Sequence, residues 1–167
     1  MEIYLIRHAI AEERETWNKP DELRPLTPRG EKKMQRVARG LRAVDVELTH
    51  LYSSPLIRAK QTAEIVRKVF RIKEIKETEA LVPSAAPEQI LPVLNELPAD
   101  AVIGLVGHEP HLGDLFTFLL SRQRQSFVIF KKGGIACLEA ETPVDAGKAM
   151  LRWMIEPNHL MAIGKGD

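Results

Sequence analysis

Two runs of nearly unbroken apolar residues, Ile3-Tyr4-Leu5-Ile6 and Ala101-Val102-Ile103-Gly104-Leu105-Val106, set the terms for any fold this chain can reach. Runs this short and continuous suit strands covered on both faces, as in parallel sheets with helices above and below. Each run stops at ionisable residues, Arg7-His8 after the first and Gly107-His108-Glu109-Pro110 after the second. A buried strand has no structural need of such an ending. In open α/β sheets, ligands bind in the crevice beyond the carboxyl ends of the strands, so both junctions are candidate site positions.

The remaining segments alternate between helix and strand patterns. Thr27 is placed to cap a helix that has Pro28 in its first turn, with Met34, Val37, Ala38 and Leu41 on one face and an end near Ala43. Residues 48–53 read as a second strand. Ser53-Ser54-Pro55 then opens a helix over 55–70 that buries Ala59, Thr62, Ala63 and Val66. Residues 72–78 read as a charged edge strand. A short helix interrupted near Pro92 covers 88–97, and another covers 111–121. Residues 133–141 and 148–155 suit two strands joined by a turn at Asp145-Ala146-Gly147, while 9–25 and the tail 156–167 read as loops. The pattern predicts one domain over 1–167, a three-layer α/β/α sandwich with a mainly parallel central sheet.

Charge and cysteine usage narrow the function classes. Lys plus Arg number 24 and Asp plus Glu 23, a balance that argues against a general nucleic-acid binder. The single cysteine, Cys137, permits no intrachain disulfide or cysteine metal cluster, and its apolar neighbours suit a small buried residue. The sequence shows no secretory signal pattern and no apolar stretch of membrane-spanning length, so a cytoplasmic location and no membrane partner are expected.

Three strand-to-helix junctions carry unusual chemistry: Arg7-His8, Ser54-Pro55-Leu56-Ile57-Arg58 and Gly107-His108-Glu109-Pro110. If their strands are neighbours, two arginines and two histidines face one crevice. That set suits a phosphoryl group, because guanidinium forks bind phosphate oxygens bidentately at any relevant pH. A neutral histidine can attack phosphorus, provided its other ring nitrogen keeps the proton against an acceptor such as a nearby backbone carbonyl. A second histidine, if protonated, can stabilise charge on the equatorial oxygens. His50, His111 and His159 have no partners at matching positions and are left outside the site. No carboxylate or cysteine spacing accompanies His108 and His111, so neither a metal nor another cofactor is expected.

The chain resembles the histidine phosphatase superfamily, the phosphoglycerate-mutase-like fold. The resemblance rests on Leu5-Ile6-Arg7-His8-Ala9, with alanine in place of the usual glycine, and on Leu26-Thr27-Pro28-Arg29-Gly30. It rests further on Ser53-Ser54-Pro55-Leu56-Ile57-Arg58-Ala59-Lys60-Gln61-Thr62-Ala63 and on Val106-Gly107-His108-Glu109-Pro110, where asparagine is more usual than Glu109. Within the superfamily, the short length, Arg24-Pro25-Leu26-Thr27 and the closing Trp153-Met154-Ile155-Glu156-Pro157-Asn158-His159-Leu160 are similar to the SixA type of protein histidine phosphatase. The resemblance implies His8 as nucleophile, with His108, Arg7 and Arg58 completing a phosphate pocket, and Arg24 at its rim. Ala9 would tighten the pocket if the backbone there needed a positive φ.

Mutase-like members of the superfamily carry a carboxylate that protonates an alkoxide leaving group. Glu79 falls in roughly that region, but its setting resembles the SixA type and reads as a solvated loop residue. Imidazole leaves phosphorus far more readily than an alkoxide does, so a site without a strong acid favours phosphohistidine. The chain also has no room for a cap domain, and an open site suits a phosphohistidine-bearing protein as partner. The expected activity is therefore hydrolysis of protein phosphohistidine through a covalent intermediate. The alternatives are a small phosphomonoesterase acting on metabolite phosphates, with Glu79 or Glu109 as acid, and a non-catalytic phosphate-binding module.

Overall fold

In a computed structural model, which describes residues 1–164, the two apolar runs lie side by side at the centre of one sheet. Its strands are β1 (Glu2–Arg7), β2 (His50–Ser53), β3 (Lys76–Glu77), β4 (Val102–Gly107), β5 (Ile135–Glu139) and β6 (Met150–Ile155). Their order is β3-β2-β4-β1-β5-β6. The first four pair in parallel, whereas β5 runs antiparallel to both of its neighbours, so the sheet is mixed and mainly parallel.

Alternation along the central strands sorts the core into two layers. Ile3 and Leu5 of β1 join Ile103 and Leu105 of β4 beneath Leu112, Leu115, Phe116 and Leu119. Tyr4 and Ile6 face the other way, onto Met34, Val37, Leu41, Ala63 and Val66. The helices are α1 (Pro28–Arg42), α2 (Ile57–Phe70), α3 (Leu91–Asn95), α4 (His111–Ser121) and α5 (Pro157–Ile163). Buried residues of α1, α2 and α5 pack on one face of the sheet and those of α3 and α4 on the other, which gives the expected three layers. Cys137 is a buried free thiol in the layer beneath α1.

Helix α1 begins as its sequence predicts. The Thr27 side chain accepts the Gly30 N–H at 3.0 Å, and Pro28 takes the first helical position. Elsewhere the boundaries move. Helix α2 starts at Ile57, two residues later than expected, and β3 shrinks to two exposed residues at the sheet edge. The loop before α1 contains a 3-10 turn, Asp21–Leu23, and an isolated bridge between Ala11 and Leu26. Pro92 does not interrupt a helix. A 3-10 turn, Pro87–Ile90, runs into α3, whose first turn accommodates a proline lacking an N–H.

The expected loop ending needs correction. Residues 157–163 form α5, started by Pro157, and only residues 165–167 of that expectation lie outside the described residues. A two-turn helix with one buried residue, Leu160, carries almost no periodic signal. What holds it is close approach to α1, where a β-carbon on Gly40 would stand 1.9 Å from the Leu160 carbonyl oxygen. Among the described residues, no helix is long and apolar enough to cross a membrane.

The Gly40→Ala exchange weighs two opposed effects. Alanine gains about 1 kcal/mol in helix propensity, while overpacking against rigid backbone costs about 1–3 kcal/mol or more. The clash is with backbone, so we expect a net loss of about 2 kcal/mol, read as a lower urea midpoint. An unchanged or raised midpoint contradicts the close packing of α5 on α1.

Candidate active site

The parallel register of β1 and β4 sets Arg7 opposite Gly107, and the His8 N–H donates to the Gly107 carbonyl at 3.0 Å. His8 and His108 therefore leave adjacent strands at the same edge, with ring centroids 5.0 Å apart. On the other side of β4, the Ser54 N–H donates to the Val106 carbonyl at 3.0 Å and carries the chain from β2 into α2, which supplies Arg58. The three junctions thus meet at one crevice, and Arg7, His8, Arg58 and His108 are brought together as expected. His8, Arg58 and His108 are all at least nine-tenths buried.

The state of His8 is set by the backbone of the next residue. Its Nδ1 lies 2.7 Å from the Ala9 carbonyl oxygen, which can only accept, so Nδ1 carries the proton and Nε2 keeps a lone pair. Burial pushes the His8 pKa down to about 3, against the pull of the Ala9 carbonyl and helped by the charges of Arg58, Arg7 and Arg24. Ala9 is held in turn by the Thr62 hydroxyl, which accepts its N–H at 3.0 Å and donates to the Arg58 carbonyl at 2.7 Å. Among the described non-glycine residues, positive φ occurs at Asp45, Arg71 and Arg122 and not at Ala9. Alanine beside His8 is therefore unstrained.

His108 is also neutral in the free protein. Burial, with the nearby His8 and Arg58, pushes it down to about 2. Its Nε2 is 2.8 Å from the Ser54 hydroxyl, while its buried Nδ1 has no partner. A dianionic phosphoryl group would oppose the charges that keep it neutral, and so favour the imidazolium that stabilises developing negative charge.

Both arginines are held by loops. Arg58 donates from Nη1 to the Asp21 carbonyl at 2.8 Å and from Nη2 to the Asp21 carboxylate at 2.9 Å. Arg24 meets the other carboxylate oxygen at 2.9 Å. Burial works to raise the Asp21 carboxyl, but Arg24 and Arg58 outweigh it and hold it below its ordinary value. Arg7 donates from Nη1 to the Phe130 carbonyl. Each of the two guanidiniums keeps a buried Nε–H without an acceptor. Two such charged donors at one crevice favour an anion that supplies the missing acceptors.

Of the remaining candidates, Arg24 lies at the rim, with its charge felt at His8. Glu79 is exposed, one residue beyond Thr78, whose N–H donates to the Ser53 carbonyl at the end of β2. Glu109 is half-buried, and burial raises its carboxyl above the ordinary value against the pull of Arg7 and of the Phe130 N–H, which its carboxylate accepts at 2.8 Å. His50 and His159 lie apart from this set, and His111 is buried with both ring nitrogens unpartnered. Among the described residues, no group of three or more His, Cys, Asp or Glu side chains could hold a metal ion. Sequence reasoning missed Asp21 and the Phe130 carbonyl. Asp21 had one signal, its three-residue spacing from Arg24 in a short turn, and a backbone carbonyl has none.

Comparison with known proteins gives a consistent picture. A family model described as the histidine phosphatase superfamily (branch 1) matches residues 3–82. An uncharacterized protein of Picosynechococcus sp. is 33% identical over 142 residues, covering 84% of this chain and 86% of that relative. The solved structure of the protein histidine phosphatase SixA complexed with tungstate superposes with a TM-score of 0.84 at 24% identity, over 96% of this chain and 99% of its own. A phosphoserine phosphatase of Entamoeba histolytica, solved with phosphoserine, superposes with a TM-score of 0.72 at 19% identity, over 95% and 98% of the two chains. The two structural likenesses concern the fold alone.

The protonation states give a direct expectation. His8 and His108 titrate near 6.5 in the unfolded chain and far lower when folded. Acidification below about 6.5 therefore loads protons on the unfolded state and lowers stability, by about 1.4 kcal/mol per pH unit for each histidine. Long-range proton–nitrogen NMR should find His8 neutral and protonated on Nδ1 at pH 6 and still so at pH 5. A His8 imidazolium at pH 6, or the opposite tautomer, contradicts this reading of the site.

Proposed function

Because the chain belongs to the histidine phosphatase superfamily, we propose that it hydrolyses phosphohistidine on a protein substrate through a covalent phosphoenzyme. The observation that carries this reading is the state of His8. A neutral imidazole with Nδ1 tied to the Ala9 carbonyl sits among two arginines, each with an unsatisfied Nε–H.

In the proposed reaction Arg7 and Arg58 bind the phosphoryl oxygens and the His8 Nε2 attacks phosphorus. The new P–N bond forms as the P–N bond to the substrate imidazole breaks, and the departing ring nitrogen takes a proton from solvent. Water then attacks the phosphorus on His8, the second P–N bond breaks, and inorganic phosphate leaves with His8 restored. His108, protonated once the dianion is bound, donates to an equatorial oxygen in both steps. None of these steps needs a metal or another cofactor. The expected setting is the cytoplasm.

Leaving-group chemistry supports phosphohistidine over alkyl phosphates. Glu109 has one carboxylate oxygen committed to the Phe130 N–H, and Asp21 is held ionised by Arg24 and Arg58. Asp21 is therefore no acid for an alkoxide, and Glu109, though burial raises its carboxyl, has one oxygen engaged by the backbone. A second reading, a phosphomonoesterase of metabolites, draws support from Glu79, which stands exposed at the sheet edge that carries the crevice.

A phosphate-release assay comparing a phosphohistidine protein, a phosphoserine peptide and small alkyl phosphates separates the two. We expect kcat/KM on the phosphohistidine protein to exceed that on alkyl esters by at least about 100-fold, within the range general acid catalysis supplies. Comparable rates, together with loss of ester hydrolysis in Glu79→Gln, favour the metabolite phosphatase instead.

A further inference from the structure

We infer that Glu109 is a positioning residue for Arg7, acting through the backbone of Phe130. This inference rests on the proposed phosphate site and adds a residue to it. Phe130 is held at both of its backbone groups. Its N–H donates to the Glu109 carboxylate at 2.8 Å, and its carbonyl accepts Nη1 of Arg7. Glu109 follows His108 directly at the end of β4, so a single side chain ties the central strand to the loop that orients the guanidinium.

Beyond Phe130 the loop is tied to β1 itself, where the Gly133 N–H donates to the carbonyls of Arg7 and His8 and the Arg7 N–H donates to the Gly134 carbonyl. Glu109 is the side chain that holds Phe130. Before Phe130 the chain is held by Phe127, whose ring meets Phe116 with centroids 6.2 Å apart, and by the partly buried Val128, while the adjacent Ile129 is 80% exposed and adds no anchor. Asp114 of α4 accepts the Ser126 N–H at 3.0 Å, four residues before Phe130. The Phe130 ring is fully buried against Phe116, with centroids 5.9 Å apart, but a ring contact leaves the carbonyl free to rotate about the backbone. The Glu109 hydrogen bond supplies a constraint at Phe130 itself. Arg7 depends on it because its buried Nε–H has no acceptor of its own. Removing the Glu109 acceptor orphans the Phe130 N–H and frees the carbonyl that aims the Arg7 fork.

The role belongs to the hydrogen-bond acceptor and not to the negative charge, and that separates it from general acid chemistry. Glutamine keeps an acceptor oxygen and removes both the charge and the transferable proton. Alanine and leucine remove the acceptor, and leucine keeps much of the bulk.

The experiment is tungstate binding by titration calorimetry to the wild type, Glu109→Gln, Glu109→Ala and Glu109→Leu, each below its own melting temperature. Glu109→Gln should bind within about threefold of wild type, and Glu109→Ala and Glu109→Leu at least about tenfold more weakly, as expected when a buried donor is left without its acceptor. A merely structural role lowers the melting temperature of the alanine variant without weakening tungstate binding by the folded protein. Equal weakening in all three variants, or wild-type affinity in Glu109→Ala and Glu109→Leu, overturns the inference while the phosphate site stands. No tungstate binding by the wild type overturns the site and the inference together.

Discussion

The pairing of β1 with β4 is the constraint on which the rest of the site depends. It sets Arg7 level with Gly107 and ties the His8 N–H to the Gly107 carbonyl, which fixes two histidine rings 5.0 Å apart above an apolar floor. A slip of one residue in that register would turn every side chain of β1 to the opposite face. Ile3 and Leu5 on one side and Tyr4 and Ile6 on the other already fill separate layers, so packing enforces the register. The chemistry is thus located by the hydrophobic core.

Gathering four groups able to carry positive charge in so small a volume creates an electrostatic problem, which the structure meets in two ways. The histidines are kept neutral by burial, and the arginine forks are shared with acceptors from two loops, Asp21 on one side and Phe130 on the other. The same arrangement prepares the site for an anion. A bound phosphoryl group would find two buried guanidinium donors and a histidine nitrogen without partners, all orphaned in the free protein. It would also reverse the electrostatics at His108, which gains a proton only when there is negative charge to stabilise. Preorganised donors of this kind favour the charge-separated transition state over water.

Much of this was legible in the sequence, for physical reasons that differ by element. Continuous apolar runs ending in polar pairs located the strands and the crevice, because burial and strand length leave few other readings. The Thr27-Pro28 start of α1 was legible because capping is local chemistry. Helix α5 was not, since its single buried residue, Leu160, leaves no periodicity and its stability comes from contact with Gly40, far away in the chain. The acceptors that hold the arginines were hidden for a related reason. A backbone carbonyl such as that of Phe130 has no residue identity, and Asp21 resembles any other charged loop residue until the fold brings Arg58 to it. Ala9 illustrates the opposite limit: its effect on the pocket hung on a backbone angle the sequence does not show, and the backbone has no positive φ there.

The central claim is that His8 itself takes the phosphoryl group. The direct measurement mixes protein with a phosphohistidine substrate, quenches in alkali within milliseconds because phosphoramidates survive base and not acid, and maps the modified peptide by mass spectrometry. The predicted result is a transient phosphoryl group on His8, absent in the His8→Ala protein, which also releases no phosphate. Sustained phosphate release by His8→Ala, or a phosphoryl group found on another residue, would contradict it.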